Sequence, residues 1–167
     1  MKGGECVNKF DNIYRTNQDL VFRFLMKLCG DSALAEELCQ ETFYRAYMNL
    51  SALKSEDRAS AWLCSIAKNT YFAYYNEQKK KTEIPDTLED VSADITEVFE
   101  QKELADRAFL CLHALEEPYK EVFMLYVFAG FSLKNISSVF QKSESWARVT
   151  YYRAKQKIME GLAENDL

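Results

Sequence analysis

Glycine and proline are scarce in this chain, at five and two residues of 167. That shortage disfavours a turn-rich all-β fold and suits long helices. Histidine is rarer still: His113 stands alone, at helical spacing in FLCLHALEE, and is expected to be an ordinary helix residue rather than a ligand or a base. The five cysteines, Cys6, Cys29, Cys39, Cys64 and Cys111, are odd in number and show no CxxC or CxxxC spacing. They are expected to be buried reduced thiols, with no disulfide frame, no metal site and no cofactor. No apolar run approaches the roughly 18 residues of a membrane span. The first residues, MKGGECVNKF, lack the apolar core of a signal peptide. A soluble, cytoplasmic protein that inserts in no membrane is the expectation.

What is present is apolar and aromatic material, 48% and 14% of residues, enough for real cores. The net charge of -5 argues against an all-over coat for nucleic acid. Its distribution is uneven, however. Residues 82–103 carry Glu83, Asp86, Glu89, Asp90, Asp94, Glu97, Glu100 and Glu103 against Lys102. Residues 131–158 carry Lys134, Lys142, Arg148, Arg153, Lys155 and Lys157 against Glu144. Such asymmetry points to one acidic connector and one cationic working surface.

Apolar residues recur at helical spacing in two blocks. In the first, Phe10, Ile13 and Tyr14 form one stripe, and Leu20, Val21, Phe24, Leu25 and Leu28 form another up to Gly30. Asp31 or Ser32 can cap a helix running to Leu50. A polar turn, residues 51–58, precedes a further helix from Ala59 to Lys80. The second block resumes at Val98, Leu104, Phe109, Leu112 and Leu115, with Pro118 at a helix start and a buried helix from Glu121 to Phe128. Ser132 then caps Leu133 to Phe140, and Gln141-Lys142-Ser143 is a tight connection to the last helix. The expected architecture is all-α, with two small helical domains (1–81 and 98–167) joined by an acidic linker (82–97).

On a helical wheel of the last segment, Ala147, Tyr151, Ala154 and Ile158 form the inward stripe. Arg148, Val149, Tyr152, Arg153 and Lys155 occupy the outer arc. A short helix, a tight turn and a longer basic helix make a helix-turn-helix pattern, whose second helix can enter a DNA major groove. Arg there can hold guanine N7 and O6, and Lys can hold phosphates. The plainer alternative is a solvated basic helix end.

In DSALAEELCQETFYRAYMNL the wheel puts Leu34, Leu38, Cys39, Phe43, Ala46 and Leu50 on one side. Glu37, Gln40, Glu41, Tyr44 and Met48 fall on the other, a mixture that suits a protein interface. A charged surface with incidental aromatics remains the alternative. No nucleophile or histidine in this block supports paired-carboxylate catalysis. In SAWLCSIAKNTYFAYYNEQKKK, Trp62, Leu63, Ile66 and Ala67 are expected core. Asn69, Tyr71, Tyr74 and Tyr75, ahead of Lys79, Lys80 and Lys81, suit stacking of single-stranded bases; Phe72 is expected to be buried.

Taken in order, these segments resemble the extracytoplasmic-function (group four) sigma factors of bacterial RNA polymerase, members of the sigma-70 family. The family writes its core-binding helix approximately D-A-E-D-L-V-Q-E-T-F-x-R-A-Y, the following segment W-L-Y-R-I-A-R-N, and its C-terminal region L-P-x-x-x-R-E-V-F with a late R-A-R/K. The third is matched here by LEEPYKEVFMLYVFAGFSLKNISSVFQKSESWARVTYYRAKQKI. The resemblance implies a monomeric, non-enzymatic initiation factor that binds polymerase core and promoter DNA and is restrained by an anti-sigma factor. It implies that Glu37, Gln40 and Glu41 meet the clamp helices of the largest catalytic subunit, to which the wheel adds Tyr44. It implies that Asn69 contacts an exposed −10 base, with Lys68 and Lys79 to Lys81 on nearby phosphates and residues 55–60 as the specificity loop. Arg148, Val149, Tyr152 and Arg153 match the positions facing the −35 major groove, with Lys155 beside them. Two departures stand out: Trp146 replaces a Thr usual in the family, and LEEP replaces L-P. The rival reading is a stand-alone, dimeric helix-turn-helix regulator, which leaves the Glu37 face unexplained.

Overall fold

A computed structural model describes residues 2–82 and 96–164, with side chains placed for 8–81 and 103–164. Most of the expected acidic linker lies outside the described residues. Seven α-helices and no strand occur among the described residues. They are α1 (Lys2–Cys29), α2 (Ser32–Met48), α3 (Ala59–Thr82), α4 (Thr96–Ala114), α5 (Tyr119–Val127), α6 (Leu133–Phe140) and α7 (Glu144–Glu164).

The first three helices pack on one another around Val21, Phe24, Leu25, Leu38, Phe43 and Leu63, all buried. Each such side chain contributes about 1.5–3 kcal/mol on leaving water. The two sequence stripes of the first helix belong to one continuous element. Its polar middle survives because Thr16 and Asn17 donate to the carbonyls of Asn12 and Ile13, at 2.8 Å each. Gly30 ends α1 in the left-handed region (φ 68), a conformation that costs glycine no steric strain. Asp31 then caps α2, its carboxylate accepting from the Leu34 N–H at 2.8 Å.

The C-terminal helices enclose Leu112, Val122, Met124, Leu125, Ile136, Ala147, Ala154 and Ile158, with α7 crossing α4, α5 and α6. Pro118 lies just before α5 rather than inside its first turn. The inward stripe of α7 is also corrected: Thr150 is buried and Tyr151 is only half-buried. Measured around the helix from Ala147, Ala154 and Ile158 lie within about 20° either side, Thr150 about 60° one way and Tyr151 about 40° the other. The small Thr fits the packed edge; the phenol is left at the rim, stacked on Phe123 at 5.8 Å and near Tyr126 at 4.5 Å. Among the placed cysteines only Cys64 is fully buried, and burial pushes its thiol up to about 12. Cys29, Cys39 and Cys111 are half-buried, a correction to the expectation of full burial.

Candidate functional site

Three surfaces hold the residues singled out by sequence. The first is a groove between α2 and α3. Glu37, Gln40 and Tyr44 are exposed along α2, Tyr44 by 61%. Glu41, half-buried at the groove's edge, accepts from Arg45 Nε at 2.6 Å. The far wall is α3, through Thr70, Tyr74 and Glu77. Tyr74 and Glu77 are additions to the expected set, since the sequence suits Tyr74 to base stacking. Their spacing from Thr70 (four and seven residues) puts all three on one helical face. Lys81 bonds Glu77 at 2.8 Å and holds its carboxyl below the ordinary range. The groove thus joins carboxylates, an amide and phenols on two rigid helices, suited to a cationic helical partner.

The second surface is the exposed edge of α7. Ser132 caps α6 by accepting from the Asn135 N–H at 3.1 Å, and Ser143 caps α7 by accepting from the Trp146 N–H at 3.1 Å. The turn between them passes through Gln141 at φ 55, where a side chain costs roughly 1 kcal/mol over glycine. With its amide oxygen facing the guanidinium, Gln141 accepts from Arg58 Nη1 and Nη2 at 3.1 Å, a contact that helps offset the strain. Trp146 packs on Phe140 with ring centres 5.2 Å apart, so it braces the two helices. Arg148, Val149, Tyr152, Arg153 and Lys155 all lie exposed on one side, Val149 by 47% and Tyr152 by 61%. Arg148 is held by Glu144 at 3.3 Å. Lys157 instead turns over the Tyr119 ring at 5.5 Å and leaves this edge.

The third surface, on α3, differs from expectation. Asn69, Lys79, Lys80 and Lys81 are exposed. Lys68, expected on phosphate, is 5% exposed and forms ion pairs with Glu117 (2.5 Å) and Glu121 (3.7 Å). Tyr71, expected to stack on bases, is also buried, its hydroxyl donating to the Leu28 carbonyl at 3.1 Å. The cause is helical spacing: residues 68, 71, 72 and 75 share one face, and that face meets α4 and α5. Phe109 sits 5.3 Å from Tyr71, 5.4 Å from Phe72 and 4.8 Å from Tyr75. His113 stacks on Phe72 at 4.5 Å, and its buried Nδ1 has no hydrogen-bond partner. Burial chiefly, then Lys120 and Lys79, keep the imidazole below its ordinary pKa. The 55–60 loop is tied down by Ser60 Oγ, which donates to Asn17 Oδ1 at 2.6 Å.

No helix among the described residues is long and apolar enough to cross a membrane, and none of their acidic, Cys and His side chains cluster as a metal site. The arrangement offers contact surfaces on two domains.

Residues 13–81 match the family described as Sigma-70 region 2, and residues 106–158 match Sigma-70, region 4. The chain is 29% identical over 156 residues to the ECF RNA polymerase sigma factor SigM of Bacillus subtilis, covering 89% of this chain and 91% of that one. It is 27% identical over 169 residues to the RNA polymerase sigma-E factor of Streptomyces avermitilis, covering 100% and 92%. Its fold is similar to that of the sigma factor RpoE of Bartonella quintana, solved with the anti-sigma factor NepR. There the TM-score is 0.51 at 17% identity, over 92% of this chain and 96% of the other. With both regions matched in order, the chain belongs to the extracytoplasmic-function sigma factors of the sigma-70 family.

Proposed function

We propose that this sigma factor docks on polymerase core through the α2–α3 groove and reads its promoter with two separate faces. As a sigma factor it directs promoter recognition and transcription initiation by RNA polymerase, and it is not itself an enzyme. Glu37, Gln40, Glu41 and Tyr44 meet the clamp helices of the largest catalytic subunit. Asn69 takes an exposed −10 base while Lys79 and Lys80, joined by Lys68 when it is uncovered, neutralise neighbouring phosphates. Arg148, Val149, Tyr152, Arg153 and Lys155 face the −35 major groove, where guanidinium groups suit guanine and Val149 suits a thymine methyl. Working domains of 1–81 and 98–167, with 82–97 as connector, fit this division.

The observation that carries the reading is the pairing of an open carboxylate-and-tyrosine groove on one domain with an open cationic and aromatic helix edge on the other. The free factor is a cytoplasmic monomer serving a stress-responsive set of promoters. An anti-sigma factor restrains it; the Bartonella quintana relative, solved in complex with its own anti-sigma factor, supports that arrangement. The test is promoter binding with and without core, alongside the oligomeric state. A monomer that binds promoter DNA tightly only after core is added supports the reading. A dimer that binds duplex DNA equally well without core would replace it with a stand-alone regulator.

A further inference from the structure

Trp146 stands at the rim of the outer edge of α7. At about 100° per residue it lies about 20° around the helix from Arg153 and about 60° from Val149, on the side that meets α6. Its ring is fixed, packed on Phe140 with centres 5.2 Å apart and planes at 46°. Its backbone N–H is held by Ser143 Oγ at 3.1 Å. The side chain is nonetheless only half-buried. Its indole N–H, which can donate but not accept, has no acceptor among the described residues and reaches the surface.

The same flank is cationic. Trp146, Val149 and Arg153, at steps of three and four residues, form one row along α7, with Lys142 in the turn at its foot. Lys142 and Arg153 are exposed, and neither has an ion-pair partner among the described residues. Lys157, which would extend the row, is turned over the Tyr119 ring. On the opposite flank Tyr151 is engaged with Phe123 and Tyr126.

Widths decide what this row can meet. A helix with its side chains is about 10–12 Å across, and the DNA major groove is about 12 Å wide. Inside the groove the outermost side chains meet base edges, and those a quarter-turn to either side meet the phosphate-lined walls. The outer edge centres between Tyr152 and Val149, and Trp146 lies about 90° from that centre. It therefore faces a wall. Paired, stacked bases leave no open face for an indole to stack on, so the N–H is the part of this side chain that duplex DNA can use.

We propose that Trp146 is a positioning residue for −35 recognition. With its ring clamped on Phe140, it donates its indole N–H to a phosphate on the groove wall beside α6, between the cations of Lys142 and Arg153. The contact carries no sequence information itself; it fixes the register in which Arg148 and Tyr152 meet the bases. This deepens, and rests on, the assignment of α7 to the −35 groove.

The test uses the full chain in holoenzyme, on a promoter recovered from a randomised pool. Trp146→Phe keeps a ring on Phe140 and removes the N–H. Affinity should fall roughly three- to tenfold, equally for every single-base variant of the −35 element, with the melting temperature unchanged. Duplexes in which one −35 phosphate at a time is replaced by a neutral methylphosphonate then locate the contact. One such replacement should weaken binding of the native chain and add no further loss in Trp146→Phe. Native affinity in Trp146→Phe, or the same sensitive phosphates in both proteins, overturns the contact and leaves Trp146 as a brace. A loss confined to particular base pairs also overturns it, making Trp146 a reading residue. Arg148→Ala separates the proposal from the reading beneath it. If that variant weakens −35 binding while Trp146→Phe does not, the proposal falls alone; if neither does, α7 is not the −35 helix and both fall.

Discussion

Glu41 sits at the edge of the α2–α3 groove with its carboxylate committed to Arg45 on the same helix. An exposed pair of this kind contributes only about 0.3–0.5 kcal/mol to the fold. Glu41→Lys should therefore leave the helical signal and melting temperature nearly unchanged while weakening core affinity about tenfold or more, since it reverses a charge within the proposed interface. Binding titration against core polymerase checks this; unchanged affinity would move the interface elsewhere. His113 gives a residue-scale prediction in pH. Its imidazole stacks on Phe72, with burial, Lys120 and Lys79 opposing protonation. Its pKa is thus lower when α4 packs on α3 than when the two part, so the contact is at full strength above about pH 6.5 and weakens as pH falls below it. The radius of gyration should rise between about pH 7 and pH 5.5, and His113→Phe, which keeps a ring on Phe72, should abolish that rise. At this scale the sequence was legible wherever polarity and side were the same question, as for Arg148, Val149 and Tyr152. It misled where two sides were both occupied, as for Lys68, because a lysine at helical spacing carries no mark of whether phosphate or a carboxylate of the same chain will meet it.

At the scale of elements, α3 is the helix that the amino-acid pattern describes least completely. Its face at residues 68, 71, 72 and 75 packs on α4 and α5. Another face, at Thr70, Tyr74 and Glu77, lines the groove with α2. Aromatics beyond the needs of one domain's core suggest base-stacking rings; Tyr71 and Tyr75 meet Phe109 in α4 instead, beside Phe72, whose burial was expected. Helix α7 was more legible, because Ser143, Ala147, Ala154 and Ile158 fix its start and its inward side. The prediction for α7 concerns reading. Arg148→Ala breaks an exposed pair with Glu144 and should cost little stability. It should remove about 1–3 kcal/mol of discrimination at a single −35 base pair. Affinities for a −35 duplex and its single-base variants separate the outcomes: an equal loss on every sequence would make Arg148 a phosphate contact.

Over the whole molecule, two all-α domains were visible in the spacing of apolar residues and in the charge of the segment between them, and their family order in the motifs that carry the resemblance. The packing of one on the other was not: nothing in a one-dimensional pattern pairs Lys68 with Glu117, 49 residues away. The proposed function makes its specificity act on polymerase, with the α2–α3 groove assigned to a protein and the outer edge of α7 to DNA. The most direct measurement is run-off transcription with purified bacterial core polymerase on a promoter library, with this chain as the sole initiation factor. Discrete transcripts from a restricted promoter set, dependent on the added chain and reduced by Glu41→Lys, are the predicted result. No initiation from any promoter, together with no detectable binding to core, would contradict it.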